Sequence, residues 1–99
     1  MKTIDIQAKE WFDKTNGNRY FSGKVTVDFG LKTEKTFTMP FQYGYGSQYE
    51  YTAIELLVSN GYVNPDKTEL SYRSLKNNGV IIRASKQENC KYRDVKKNL

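Results

Sequence analysis

Ile4, Ile6 and Ala8 alternate with Asp5, Gln7 and Lys9, the two-residue period of a strand with one buried face. Trp11 and Phe12 interrupt the alternation, which reads as a bulge. Asp13 to Asn18 (DKTNGN) is turn material, and Asn16-Gly17 is a strong hairpin signal. A cleaner run follows. Phe21, Gly23, Val25, Val27 and Phe29 point one way and Ser22, Lys24, Thr26 and Asp28 the other, predicting a second strand. After a turn over Gly30 to Glu34, Phe37, Met39, Phe41 and Tyr43 alternate with Thr36, Thr38, Pro40 and Gln42. Pro40 cannot donate a ladder hydrogen bond, so this third strand lies at an edge or turns its nitrogen outward at a bulge. Three strands joined by short turns predict an antiparallel meander with one aromatic face.

That face needs a cover. Ser47-Gln48-Tyr49-Glu50 matches the capping box, in which Ser47 accepts from the Glu50 amide and Glu50 reaches back. Tyr49, Ala53, Leu56, Leu57 and Asn60 keep helical spacing and Asn60-Gly61 supplies a stop, predicting a helix from about 47 to 60. Asn64-Pro65-Asp66 opens a polar connector. Residues 68–77 suit a short helix, although Asn78-Gly79 would equally turn a hairpin. Val80-Ile81-Ile82 starts another strand, to about Lys86. Residues 90–95 suit a last strand or edge extension anchored by Tyr92 and Val95, with 96–99 a frayed basic tail. The order β-β-β-α-(α)-β(-β) predicts one α+β domain over residues 1–99, a mainly antiparallel sheet with one main helix on one face.

Composition sharpens this picture. Only 37% of the 99 residues are hydrophobic, but 14% are aromatic, enough large apolar bodies for a single core. No apolar run approaches the length of a membrane span, and the opening residues lack the apolar block of a secretory signal, so neither membrane nor export is expected. Cys90 is the only cysteine, read as an ordinary free thiol in a reducing compartment. Histidine is absent, which removes the usual general base, the commonest metal ligand and every Ser-His or Cys-His nucleophile system. Glu10 with Asp13, and Glu50 with Glu55, read as ordinary surface charges, having no neighbour that would split two pKa values. No enzyme, metal or cofactor is expected.

The formal net charge of +5 is unevenly placed. Residues 1–61 hold seven Lys/Arg and seven Asp/Glu, whereas residues 62–99 hold nine against four. Arg83, Lys86, Lys91, Arg93, Lys96 and Lys97 form a candidate basic face for an acidic partner, with a solubilising tail as the plain alternative. The second candidate is the corner PFQYGYGSQYEY. Tyr43, Gly44, Tyr45, Gly46, Ser47 and Tyr49 place rings and close-approach glycines before a helix N-terminus, which suits a nucleotide or single-stranded nucleic acid. Against this, the stretch lacks the lysine of a phosphate loop and the third glycine of a dinucleotide fingerprint, and tyrosines at such corners also serve plain packing. Outward-facing Tyr20, Lys24 and Thr26, with Arg19, read as solvated strand decoration or as a second binding face.

Three segments, WFDKTNGNRYFSGKV (11–25), PFQYGYGSQYEYTAIELL (40–57) and DVKKNL (94–99), resemble a family of small bacteriophage-encoded proteins; together they cover about two-fifths of the chain. They carry no known catalytic signature, so the resemblance transfers no site residues. It implies an accessory phage protein in the host bacterial cytoplasm, acting by stoichiometric binding. Two functions follow: binding of a phosphate-bearing ligand, either nucleic acid or a small nucleotide, or inhibition of a host defence or replication protein through a protein interface. A homo-oligomer with a composite site is a third arrangement.

Overall fold

A computed structural model describes residues 2–62 and 79–97. The readings of a polar connector at 64–66, a helix or hairpin at 68–77 and a tail at 98–99 lie outside the described residues. The elements are β1 (Thr3–Asp13), β2 (Asn18–Val27), β3 (Lys35–Tyr43), α1 (Gln48–Ser59), β4 (Ile81–Gln87) and α2 (Tyr92–Lys97). They form an α+β fold in which a four-stranded sheet, order β3-β2-β1-β4, carries α1 across one face.

The meander is antiparallel, as the alternation requires, but β4 pairs with β1 in parallel, from Thr3↔Ile81 to Lys9↔Gln87. The sheet is therefore mixed. β1 and β2 are its two interior strands. Because paired residues share a face, Ile4, Ile6 and Ala8 meet Val25 and Val27 beneath α1, where Ala53, Ile54 and Leu57 close the core. Each fully buried side chain of this size contributes about 1.5–3 kcal/mol, and this one layer holds nearly all of them.

Two strand readings are corrected, one in β1 and one in β3. No bulge occurs at Trp11 and Phe12: pairing with β2 is unbroken through Asp13↔Asn18. The alternation simply continues, with Glu10 at an inward position (2% exposed) and Trp11 on the opposite face. The irregularity sits instead in the β2–β3 pairing, between Phe21 and Gly23, opposite Pro40. There the edge strand gains a residue, as a proline without a ladder donor favours. The bulge also flips the face. Phe37 and Met39 join the α1 side, whereas Phe41 and Tyr43 turn to the other and stack on Tyr20.

A third correction concerns residues 90–95. They form no strand; Tyr92–Lys97 is a short helix, so Lys96 and Lys97 belong to it and are not a frayed tail. Tyr92 and Val95 are three apart, which puts both on one helical face. α2 packs them on the sheet face opposite α1, with Val95 fully buried and its carbonyl accepting from the Ser22 hydroxyl. The Cys90 amide donates to the Glu10 carbonyl at 2.9 Å, anchoring the approach to this helix. No helix among the described residues is long and apolar enough to cross a membrane.

Candidate functional site

The corner between β3 and α1 is built around two glycines with different duties. A Cβ on Gly44 would stand 2.6 Å from the Phe21 ring and 2.9 Å from Gln48 Cγ, so only glycine lets the chain pass this close. Gly46 has φ +61°, a left-handed conformation that other residues adopt at a cost, in open space. Ser47 precedes α1 as its N-cap, yet its hydroxyl makes no capping hydrogen bond. The expected Ser47–Glu50 capping box is therefore incomplete. Its backbone carbonyl accepts from the Glu50 amide at 2.9 Å, a turn bond that holds the same loop without the side chain.

Tyr43 and Tyr45 stand 59% and 65% exposed, and Tyr51 joins them around a shallow depression of about 280 Å³ that includes Gly44, Ser47 and Gln48. Tyr49 departs from this group. It is partly buried, packs against the core, and its phenol pKa is pushed up by burial and by the neighbouring Glu50.

The corner is braced by a cluster of charges. Glu10 accepts from Lys86 Nζ at 3.0 Å and from Arg19 Nη1 at 3.3 Å. The same ammonium donates to the Gly46 carbonyl at 2.9 Å and lies 5.7 Å from the centre of the Tyr49 ring. Arg19 stacks over Phe12 at 4.7 Å, and its carbonyl accepts from the Gly44 amide. Glu10 is thus a buried ion-pair partner and not the surface charge that its sequence context suggested. Parity could have revealed this, since Glu10 falls in step with Ile4, Ile6 and Ala8.

The six basic candidates divide. Arg83 and Lys86 leave β4 on opposite faces: Arg83 pairs with Asp5 at 2.7 Å, and Lys86 is occupied by Glu10. Lys96 lies over the Phe41 ring at 4.9 Å, and Lys91, Arg93 and Lys97 are exposed on or beside α2. Of the strand decoration, Tyr20, Lys24 and Thr26 share the face away from α1, while Arg19 points to Glu10 on the other.

Rings link the corner to α2. Trp11 stacks on Tyr20 at 5.6 Å and Tyr20 on Phe41 at 5.2 Å, while Tyr92 meets both Trp11 and Phe41 edge-on. From Tyr20 the contacts continue through Tyr43 to Tyr45. The network thus begins as a small second core under α2 and ends in exposed rings, and α2 sets its cations beside it. Among the described residues, no group of three or more Cys, Asp or Glu side chains is placed to hold a metal ion. No protein-family model, curated protein or solved structure matches the chain.

Proposed function

We propose that this is an accessory protein of bacteriophage type that acts in the host bacterial cytoplasm by non-catalytic binding of a phosphate-bearing ligand. The observation that carries the reading is the meeting of two features at one end of the sheet. The exposed Tyr43 and Tyr45 continue a ring network whose other members lie under α2, and α2 brings Arg93, Lys96 and Lys97. Rings give bases a stacking surface, and cations neutralise phosphates. A shallow, open depression favours nucleic acid over a small nucleotide, which needs enclosure for affinity.

The test is fluorescence anisotropy with a single-stranded oligonucleotide of roughly twelve nucleotides. Affinity falls steeply as salt rises from about 50 to 200 mM. Tyr45→Ala raises Kd about tenfold, the scale of one lost stacking contact, and leaves the thermal midpoint unchanged because Tyr45 is exposed. Binding indifferent to both salt and Tyr45 removes the reading.

One observation favours a second function, inhibition of a host defence or replication protein. The β2–β3 loop is firmly held: the Asp28 carboxylate accepts from the Lys2 amide and the Thr33 hydroxyl, and Glu34 accepts from the Gly30 amide. That rigid loop presents Phe29 and Leu31, 65% and 44% exposed, as anchors for a protein partner. A partner retained through nuclease treatment and lost with Phe29→Asp would favour this function over nucleic-acid binding.

A further inference from the structure

Tyr45 sits exposed between two glycines, and each glycine is tied to a different strand. The Gly44 amide donates to the Arg19 carbonyl of β2 at 3.0 Å. The Gly46 carbonyl accepts from Lys86 Nζ of β4 at 2.9 Å. These two anchors meet again below the loop. The side chains of Arg19 and Lys86 both reach the buried carboxylate of Glu10, at 3.3 and 3.0 Å. Glu10 lies on β1, between β2 and β4 in the sheet, so one carboxylate steadies both anchors of the exposed ring.

We propose that Lys86 is a latch: a positioning residue that sets the corner loop and makes the posture of Tyr45 depend on the seating of β4. This rests on the phosphate-binding reading and gives Lys86 a part in it other than contact with phosphate. Three observations carry it. First, the donors of this ammonium are directed into the protein. An ammonium has three N–H donors; two bonds go to Glu10 and Gly46, and Glu88 stands 3.8 Å away as a second carboxylate. A phosphate would have to displace these partners from a largely buried group.

Second, the latch acts where the loop can yield. At Gly44 the chain is wedged against Phe21 and Gln48, whereas Gly46, at φ +61°, lies in open space. Glycine populates either sign of φ readily, so a contact at the Gly46 carbonyl selects among its conformers. Third, the latch reads the register of β4. Lys86 pairs with Ala8, which places it on the α1 side of the sheet with Glu10. A slip of one residue would carry Lys86 to the opposite face and release Gly46.

The experiment uses wild type, Lys86→Met, Lys86→Met with Glu10→Gln, and Arg83→Met. Methionine keeps the apolar stem of the lysine. Glu10→Gln removes the carboxylate that Lys86→Met leaves short of a cation, which returns stability without restoring the hold on Gly46. Arg83→Met is an equal loss of charge on the opposite face of β4. In wild type, the Lys86 ammonium protons exchange with water more slowly than those of the exposed Lys24. In both Lys86 variants, backbone order parameters at residues 45–47 fall from about 0.85 to below about 0.6. Both bind the single-stranded oligonucleotide about fivefold more weakly than wild type. Their salt slope is unchanged, whereas a lost phosphate contact lowers it by about 1. Arg83→Met leaves Kd within about twofold of wild type.

If Lys86→Met lowers the salt slope by about 1 and leaves the corner ordered, Lys86 touches phosphate and the latch is wrong. If the double variant regains order and affinity together with its urea stability, the loss was one of folding and the latch is wrong. Corner disorder without weaker binding also defeats it. So does a wild-type Lys86 ammonium that exchanges as fast as that of Lys24, a measurement that needs no variant to fold. A wild type that binds no oligonucleotide at about 50 mM salt removes the phosphate-binding reading. Slow ammonium exchange, with corner order lost in Lys86→Met, would then still uphold the hold of Lys86 on the loop.

Discussion

The two faces of the sheet are made by alternate residues of the same strands, yet they differ in kind. Beneath α1, Ile4, Ile6, Val25, Val27, Met39 and Leu57 are all fully buried, and the buried carboxylate of Glu10 is held by two cations on the same face. Behind the sheet, aromatic side chains form a partial core under α2, and most remaining positions are polar or charged, the Asp5–Arg83 pair among them. The first face spends its residues on stability. Among the described residues, the second is less fully covered and leaves rings and cations exposed.

The sharpest way to break this contrast is to remove the charge from the buried face. Glu10→Ala would leave Lys86, itself 12% exposed, without its nearer carboxylate and Arg19 without the carboxylate it pairs with. Loss of about 3 kcal/mol in urea unfolding is expected, as for other buried pairs deprived of one member. On the opposite face the corresponding lesion is milder. Ser22→Ala removes the hydroxyl that holds the Val95 carbonyl, costing about 1 kcal/mol. It should loosen α2 selectively, raising amide exchange at residues 92–97 while β1 and β2 stay protected.

The smallest effect lies at the end of the sheet, away from both. Asp28 has its pKa lowered, first by the Lys2 amide and then by the Thr33 hydroxyl. Its stabilisation is therefore complete above the unfolded carboxylate value of about 3.9 and is lost as pH falls through the lower folded value. Asp28→Asn should lower the thermal midpoint at pH near 7, and the gap to wild type should narrow as pH drops below about 4. A gap that widened in acid would contradict the geometry of this loop.

Much of the fold was legible because alternation and helical spacing are local. β1, β2, α1 and the Asn60-Gly61 stop all follow from period alone; the Gly61 and Tyr62 amides close a Schellman turn onto Val58 and Leu57. What escaped was non-local. The flip of Phe41 and Tyr43 depends on a bulge opposite Pro40, and a bulge shifts parity without changing composition. The parallel pairing of β4 needs a crossover that no short pattern encodes. α2 was hidden by its length, although the Tyr92–Val95 spacing, Asp94 early and Lys96-Lys97 late fit a short helix. At the candidate site, sequence located Tyr43 and Tyr45. It had no means to foresee that Arg83 and Lys86 would be drawn into ion pairs on opposite faces.

The position of β1 has a further consequence. Its β4 partners lie 78 residues downstream, as in the Asp5–Arg83 contact. Until β4 arrives, the strand synthesised first keeps one row of amides and carbonyls bare. Such a high-contact-order topology folds slowly, because a long loop must close before its contacts are made. During translation the nascent meander would wait, half-templated and prone to self-association, for its C-terminal portion to leave the ribosome.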